Sequence, residues 1–128
     1  MQNYTKYELE YPFHASPQLL YQYISTPSGL SEWFADNVNS RGELYTFIWE
    51  DTQEQAHLIR KRVDELVKFR WLHHTDECFF EMRIMVDELT QDVSLLITDF
   101  IRNGENLEEA KLFWNNQITD LKHVLGSY

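Results

Sequence analysis

FHASPQLLYQYISTPSGLSEWFADNV, residues 13–38, sets the local plan of the chain. Ser16 followed by Pro17 reads as an N-cap with proline at the first helical position. The serine oxygen can take an orphan backbone N–H there, and proline has no N–H to lose. Leu19, Leu20, Tyr23 and Ile24 then recur at helical spacing, giving a short helix one apolar face. Thr26-Pro27 stops that helix, and a second is expected over residues 29–34, presenting Leu30, Trp33 and Phe34 together.

Upstream, residues 6–13 alternate strictly, with Tyr7, Leu9, Tyr11 and Phe13 on one side and Lys6, Glu8 and Glu10 on the other, the signature of a half-buried strand. Downstream, five runs read as strands: residues 43–49, 56–62, 66–73, 78–87 and 93–101. Turn chemistry at 40–42, 50–52, 63–65, 74–77 and 88–92 separates them at hairpin spacing, which predicts an antiparallel meander. Phe80, Met82, Ile84 and Val86 share one face against Glu81, Arg83 and Asp87, and Val67, Phe69 and Trp71 oppose Lys68 and Arg70. For residues 43–49 either Tyr45, Phe47 and Trp49 or Leu44, Thr46 and Ile48 can face inward. The final segment returns to helix. Asn106 with Glu109 forms a capping box, Leu107, Ala110, Trp114, Gln117 or Ile118, Leu121 and Leu125 follow a 3.6-residue period, and Gly126 is the stop. Such a helix is roughly 28 Å long, enough to cross a curved sheet.

Composition narrows the class. At 128 residues the chain suits one domain, expected over residues 1–128, burying roughly two-thirds of its unfolded surface. Apolar residues at 43% and charged residues at 25% fit neither a disordered nor a membrane protein. Asp and Glu number 21 against 11 Lys and Arg, and a net charge of -10 repels a phosphate backbone, so no nucleic-acid partner is expected. The lone Cys78 cannot close an internal disulfide, no apolar run spans a bilayer, and no secretory pattern opens the sequence, which together predict a cytoplasmic protein.

The order of strand, two short helices, antiparallel strands and one long C-terminal helix resembles the α+β helix-grip fold of the START-like (SRPBCC) superfamily. Residues 13–38 are similar to the N-terminal signature of its branch of activators of heat-shock chaperone ATPase, with Ser16-Pro17 opening the first helix and Trp33-Phe34 on the second. LVKFRWL, residues 66–72, and FWNNQITDLKHVL, residues 113–125, resemble that branch's Trp-ending strand and closing helix. ITDFIRNGEN, residues 97–106, departs from it: Asp99 and Phe100 stand where many relatives carry a His and a Gly-Phe pair. The resemblance implies a curved sheet gripping the last helix around a hydrophobic cavity. It further implies one of three functions: binding a lipid-like or polycyclic molecule, regulating a chaperone through the protein surface, or cyclase- or hydrolase-like catalysis.

The residues bear on that choice. Aromatic side chains make up 15% of the chain, and rigid rings suit the wall of a pocket. Candidate lining residues are Trp33, Phe34, Phe47, Trp49, Phe69, Trp71, Phe80, Met82, Ile97, Phe113 and Trp114, although the same rings could pack as a closed core. Asp99 is in phase with Val93, Leu95 and Ile97, so its carboxylate is expected to point inward, toward a ligand or paired with Arg102 at the mouth. Gln117 joins the candidates, with Asn116, Tyr45 and His57 as lesser polar ones. His73-His74 with Asp76, Glu77 and Cys78 has metal-ligand types, but neighbours on an extended strand point to opposite faces, so no metal is assigned. No glycine-rich phosphate loop or nucleophile elbow occurs, and no cofactor is assigned. A hydrophobic small molecule is the expected ligand, a chaperone or other protein the alternative partner. Monomer and homodimer are both open.

Overall fold

β1 (Tyr4–Phe13) alternates as its pattern predicts: Tyr7, Leu9 and Tyr11 are half-buried and Phe13 is buried, while Lys6, Glu8 and Glu10 face solvent. Pro12 is tolerated because β1 is a sheet edge, where a missing N–H costs no ladder bond. These details come from a computed structural model, which describes residues 3–74 and 77–127.

α1 (Pro17–Ser25) starts at Ser16, whose Oγ accepts from Leu19 N–H at 3.1 Å. Thr26 ends α1 and opens α2 (Pro27–Leu30), its hydroxyl donating to Gln22 O at 2.7 Å and accepting from Gly29 N–H at 2.9 Å. α2 therefore lies earlier than the expected span of 29–34, because the Thr26 cap and Pro27 fix its start. Trp33 and Phe34 sit in the turn after it, where the Ser31 hydroxyl, bonded to Pro27 O, takes the Val38 N–H and leads the chain into the next strand. Gly29 is required by close packing, since a Cβ there would lie 2.2 Å from Gln22 O.

That next strand, β2 (Asn37–Arg41), corrects the reading of residues 40–42 as a turn alone. Only Val38 is buried in it, so no apolar alternation betrays it; it is held by backbone pairing to β3 (Leu44–Ile48), with Val38 opposite Phe47. The turn itself closes at Gly42, whose φ of +59° favours glycine. β4 (Gln53–Arg62), which starts three residues before the expected 56, is followed by β5 (Leu66–Trp71), β6 (Phe80–Val86) and β7 (Val93–Arg102). β5 and β6 are shorter than the runs 66–73 and 78–87, and the turn between them falls partly on residues 75 and 76, outside the described residues.

All neighbours are antiparallel, in the order β1-β7-β6-β5-β4-β3-β2. The seven-stranded sheet curves round α3 (Leu107–Leu125), which Asn106 caps by accepting from Glu109 N–H at 3.1 Å and Gly126 ends at φ +68°. α3 buries Trp114, Ile118 and Leu121 at helical spacing against the inner face. Phe47, Phe69, Phe80, Met82, Leu95 and Ile97 meet them from the sheet, each almost fully buried and worth roughly 2–3 kcal/mol for the larger side chains. The facing left open in β3 resolves with Tyr45 and Phe47 inward, and Tyr45 donates to Ser25 O at 2.7 Å. The α3 terminus is fastened to β1 by His14 N–H donating to Ser127 Oγ at 2.7 Å.

Candidate functional site

Phe34 is the hub from which the site is built. Its carbonyl accepts from Trp49 Nε1 at 3.2 Å and from Gln117 Nε2 at 2.7 Å, so α3 and the turn after β3 together pin the turn after α2. The ring thus held lies 5.3 Å from Phe47, 5.8 Å from Phe80 and 5.8 Å from Trp114, centroid to centroid. Offset and edge-on pairs of this kind each add roughly 0.5–1.5 kcal/mol beyond burial and fix ring orientation. Beside this cluster lies a cavity of about 450 Å³, walled by Phe34, Trp49, Trp71, Phe80, Phe113 and Trp114. Its polar lining residues are Glu54, His73, His74, Asp99, Arg102 and Glu105, with Cys78, Phe79 and Phe100 completing the lining. A second, more open depression shares Asp99, Phe100, Glu105, Phe113 and Trp114 with it and adds Tyr7 from β1.

Asp99 stands where the two meet. Tyr7, its cross-strand partner, donates its hydroxyl to Oδ2 at 3.4 Å, and Trp114 Nε1 donates to the same oxygen at 3.0 Å. The Phe100 backbone N–H donates to Oδ1 at 2.8 Å. Burial raises the carboxyl pKa to about 6 against the pull of these three donors, with Glu105 adding to the rise. Burial, and then the Asp99 charge, push the Tyr7 hydroxyl well above its ordinary value. A carboxyl poised near neutrality on an aromatic wall can accept a hydrogen bond when ionised and donate one when protonated.

The residues expected from sequence divide by depth. Phe34, Trp49, Trp71, Phe80, Asp99, Phe113 and Trp114 line the cavity. Phe47, Phe69, Met82 and Ile97 are fully buried in the layer behind it and form the core that backs the wall. Trp33 and Gln117 border a separate shallow depression; Trp33 Nε1 donates to Tyr23 O at 2.8 Å, and Gln117 acts on the cavity through the Phe34 carbonyl. His57 and Asn116 face solvent. The carboxylate of Asp99 meets Tyr7 and Trp114 rather than Arg102, whose Nε–H donates to His74 Nε2 at 3.3 Å. Asp76, part of the metal-type grouping, lies outside the described residues. Sequence reasoning missed Glu54, Phe79, Phe100 and Glu105 as lining residues, and weighed His73, His74 and Cys78 only as metal-ligand types and Arg102 only as a partner of Asp99. Phe79 and Phe100 are out of phase with the inward positions Phe80 and Asp99, so a period of two does not assign them to the cavity; their rings pair with each other at 5.0 Å.

A seven-stranded antiparallel sheet closed on one long helix, with two short helices after the first strand and a cavity beneath the last, is the helix-grip architecture. The chain belongs to the START-like superfamily: a model of the START-like superfamily domain matches residues 1–127. It is similar to a protein from Bacteroides fragilis solved by solution NMR, at 34% identity and TM-score 0.67 over 97% of this chain and 93% of that one. The Aha1 dimer from Colwellia psychrerythraea shares the fold at TM-score 0.70 and 14% identity, covering 94% of this chain and 92% of that one. DynU16, a protein of the dynemicin biosynthetic locus, does so at TM-score 0.70 and 16% identity, over 98% of this chain but 48% of that one. No curated protein sequence matches the chain. No helix among the described residues is long and apolar enough to cross a membrane.

Proposed function

We propose that the domain binds an apolar or amphipathic small molecule, polycyclic or lipid-like, in the cavity between sheet and α3, and releases it unchanged. The observation that carries this reading is the cavity of about 450 Å³, which is lined by aromatic rings together with a set of polar side chains. Ligand sites are typically concave and apolar with a few placed polar groups. The wall residues come from β5, β6, α3 and the turns after α2 and β3, and the two turns are tied together by the bond from Trp49 Nε1 to the Phe34 carbonyl. Binding without reaction fits a site in which three donors, Tyr7, Trp114 and Phe100, already hold the Asp99 carboxylate in place.

The test is organic extraction and mass spectrometry of natively purified protein, alongside thermal denaturation with fatty acids, sterols and aromatic polyketides. A stoichiometric bound molecule, or a Tm that climbs with ligand concentration, supports the reading. Neither a bound molecule nor a shift with any class overturns it, and favours a module acting on another protein.

A further inference from the structure

The cavity reading can be carried further, to the polar group its ligand presents. A carboxylate offers about four acceptor positions, two on each oxygen. On Asp99, Oδ2 receives Trp114 Nε1 and the Tyr7 hydroxyl, and Oδ1 receives the Phe100 backbone N–H. Among the described residues this leaves one position open, on Oδ1, in a side chain that lines both depressions. The donors in place also hold the carboxylate still, so a fourth partner meets a preorganised acceptor.

Charge decides which donor fits. Among the described lining residues, Asp99, Glu54 and Glu105 face a single guanidinium, Arg102. Its Nε–H donates to His74 Nε2, and the carboxylates of the described lining outnumber it three to one. The chain as a whole carries a net charge of -10. An anionic head group entering this wall would be repelled, whereas an uncharged hydroxyl would not. A bare hydrocarbon would bury the Asp99 acceptor without satisfying it.

We propose that the cavity takes a polycyclic aromatic molecule bearing an uncharged hydroxyl, and that this hydroxyl donates to Oδ1 of Asp99. This rests on the binding function proposed above. Asp99 is then the residue that selects an alcohol or phenol over both the carboxylic acid and the hydrocarbon of the same ring system.

Pyrene, 1-pyrenemethanol and 1-pyrenecarboxylate test it, their binding followed by fluorescence anisotropy at pH 8. The native protein should bind the alcohol about tenfold or more tightly than either of the others, as a hydrogen bond to a charged acceptor implies. Asp99→Leu should lose the preference over pyrene while still binding pyrene, which also reports that the cavity is formed. If that variant does not bind pyrene, Asp99→Asn takes its place: a preference reduced several-fold supports the assignment, and an unchanged one overturns it. Equal native affinities for pyrene and its alcohol, or tighter binding of the carboxylate, overturn the role of Asp99 and leave the cavity reading standing. Failure of the native protein to bind all three overturns both.

Discussion

Substituting Asp99→Asn should remove a pH-dependent weakness from the fold. Burial holds the carboxyl pKa at about 6 in the folded chain, against 3.8 for an unhindered aspartate. Between those values the folded state keeps a proton that the unfolded state has lost, so stability falls as pH rises through this window and the full cost is present above it. A difference of about two pKa units corresponds to about 3 kcal/mol at pH 8, and about half of that develops between pH 5 and pH 8. Asparagine cannot ionise. It also alters the bonds to Tyr7, Trp114 and Phe100, but that change is the same at both pH values and drops out of the comparison. Urea denaturation of both proteins, followed by tryptophan fluorescence at micromolar concentration, gives the four stabilities needed. From pH 5 to pH 8 the balance between them should move by roughly 1–2 kcal/mol in favour of Asp99→Asn. Parallel pH dependences would refute the claim that this carboxylate is ionised at a cost.

Phe34→Ala should destabilise by about 3–5 kcal/mol and abolish pyrene binding, because the ring is both core and cavity wall; a loss below about 1 kcal/mol in chemical denaturation would contradict the packing described. Gly29→Ala should cost more than the typical point mutation, roughly 2 kcal/mol or above, since its Cβ would meet Gln22 O at 2.2 Å, and calorimetry should show the lowered Tm. Asn106→Ala should cost about 1 kcal/mol by freeing the Glu109 N–H, measured by the same denaturation. Gln117→Leu should weaken pyrene binding more than it lowers stability, because it releases the Phe34 carbonyl without opening the core; the reverse order would show that the side chain does not position Phe34.

Local chemistry reads well from the chain where apolar periodicity or a cap carries the information. β1, β6 and α3 emerge from alternation, the Asn106 cap and the Gly126 stop. β2 does not, because its stability comes from backbone pairing with β3 and only Val38 carries an apolar signal. The site is half legible for a related reason. Parity along a strand says which face a ring occupies but not its depth. Phe47 and Trp49 therefore look alike in sequence, although one is fully buried core and the other lines the cavity. The inward Asp99 was legible from its phase in β7, but its partner Tyr7 lies 92 residues away. Nothing local announces that β1 pairs with β7.

That pairing has a consequence for the order of assembly. Strands β2 to β7 follow one another as neighbours and can zip as successive hairpins, each closing a short loop. β1 must instead find a strand whose register sets Tyr4 beside Arg102, and α3 can settle only once the curved inner face exists. Long loops close at an entropic cost that is met before their contacts form, so the β1–β7 pairing is expected late, and α3, although it follows β7 directly, has no apolar face to dock on until the sheet has formed. The donors to Asp99 come from those two late elements, Tyr7 from β1 and Trp114 from α3. A molecule that occupied the cavity would therefore be selected by elements expected to take shape last, and by holding β7 and α3 together it would slow their separation, lengthening the lifetime of the folded state as well as deepening its minimum.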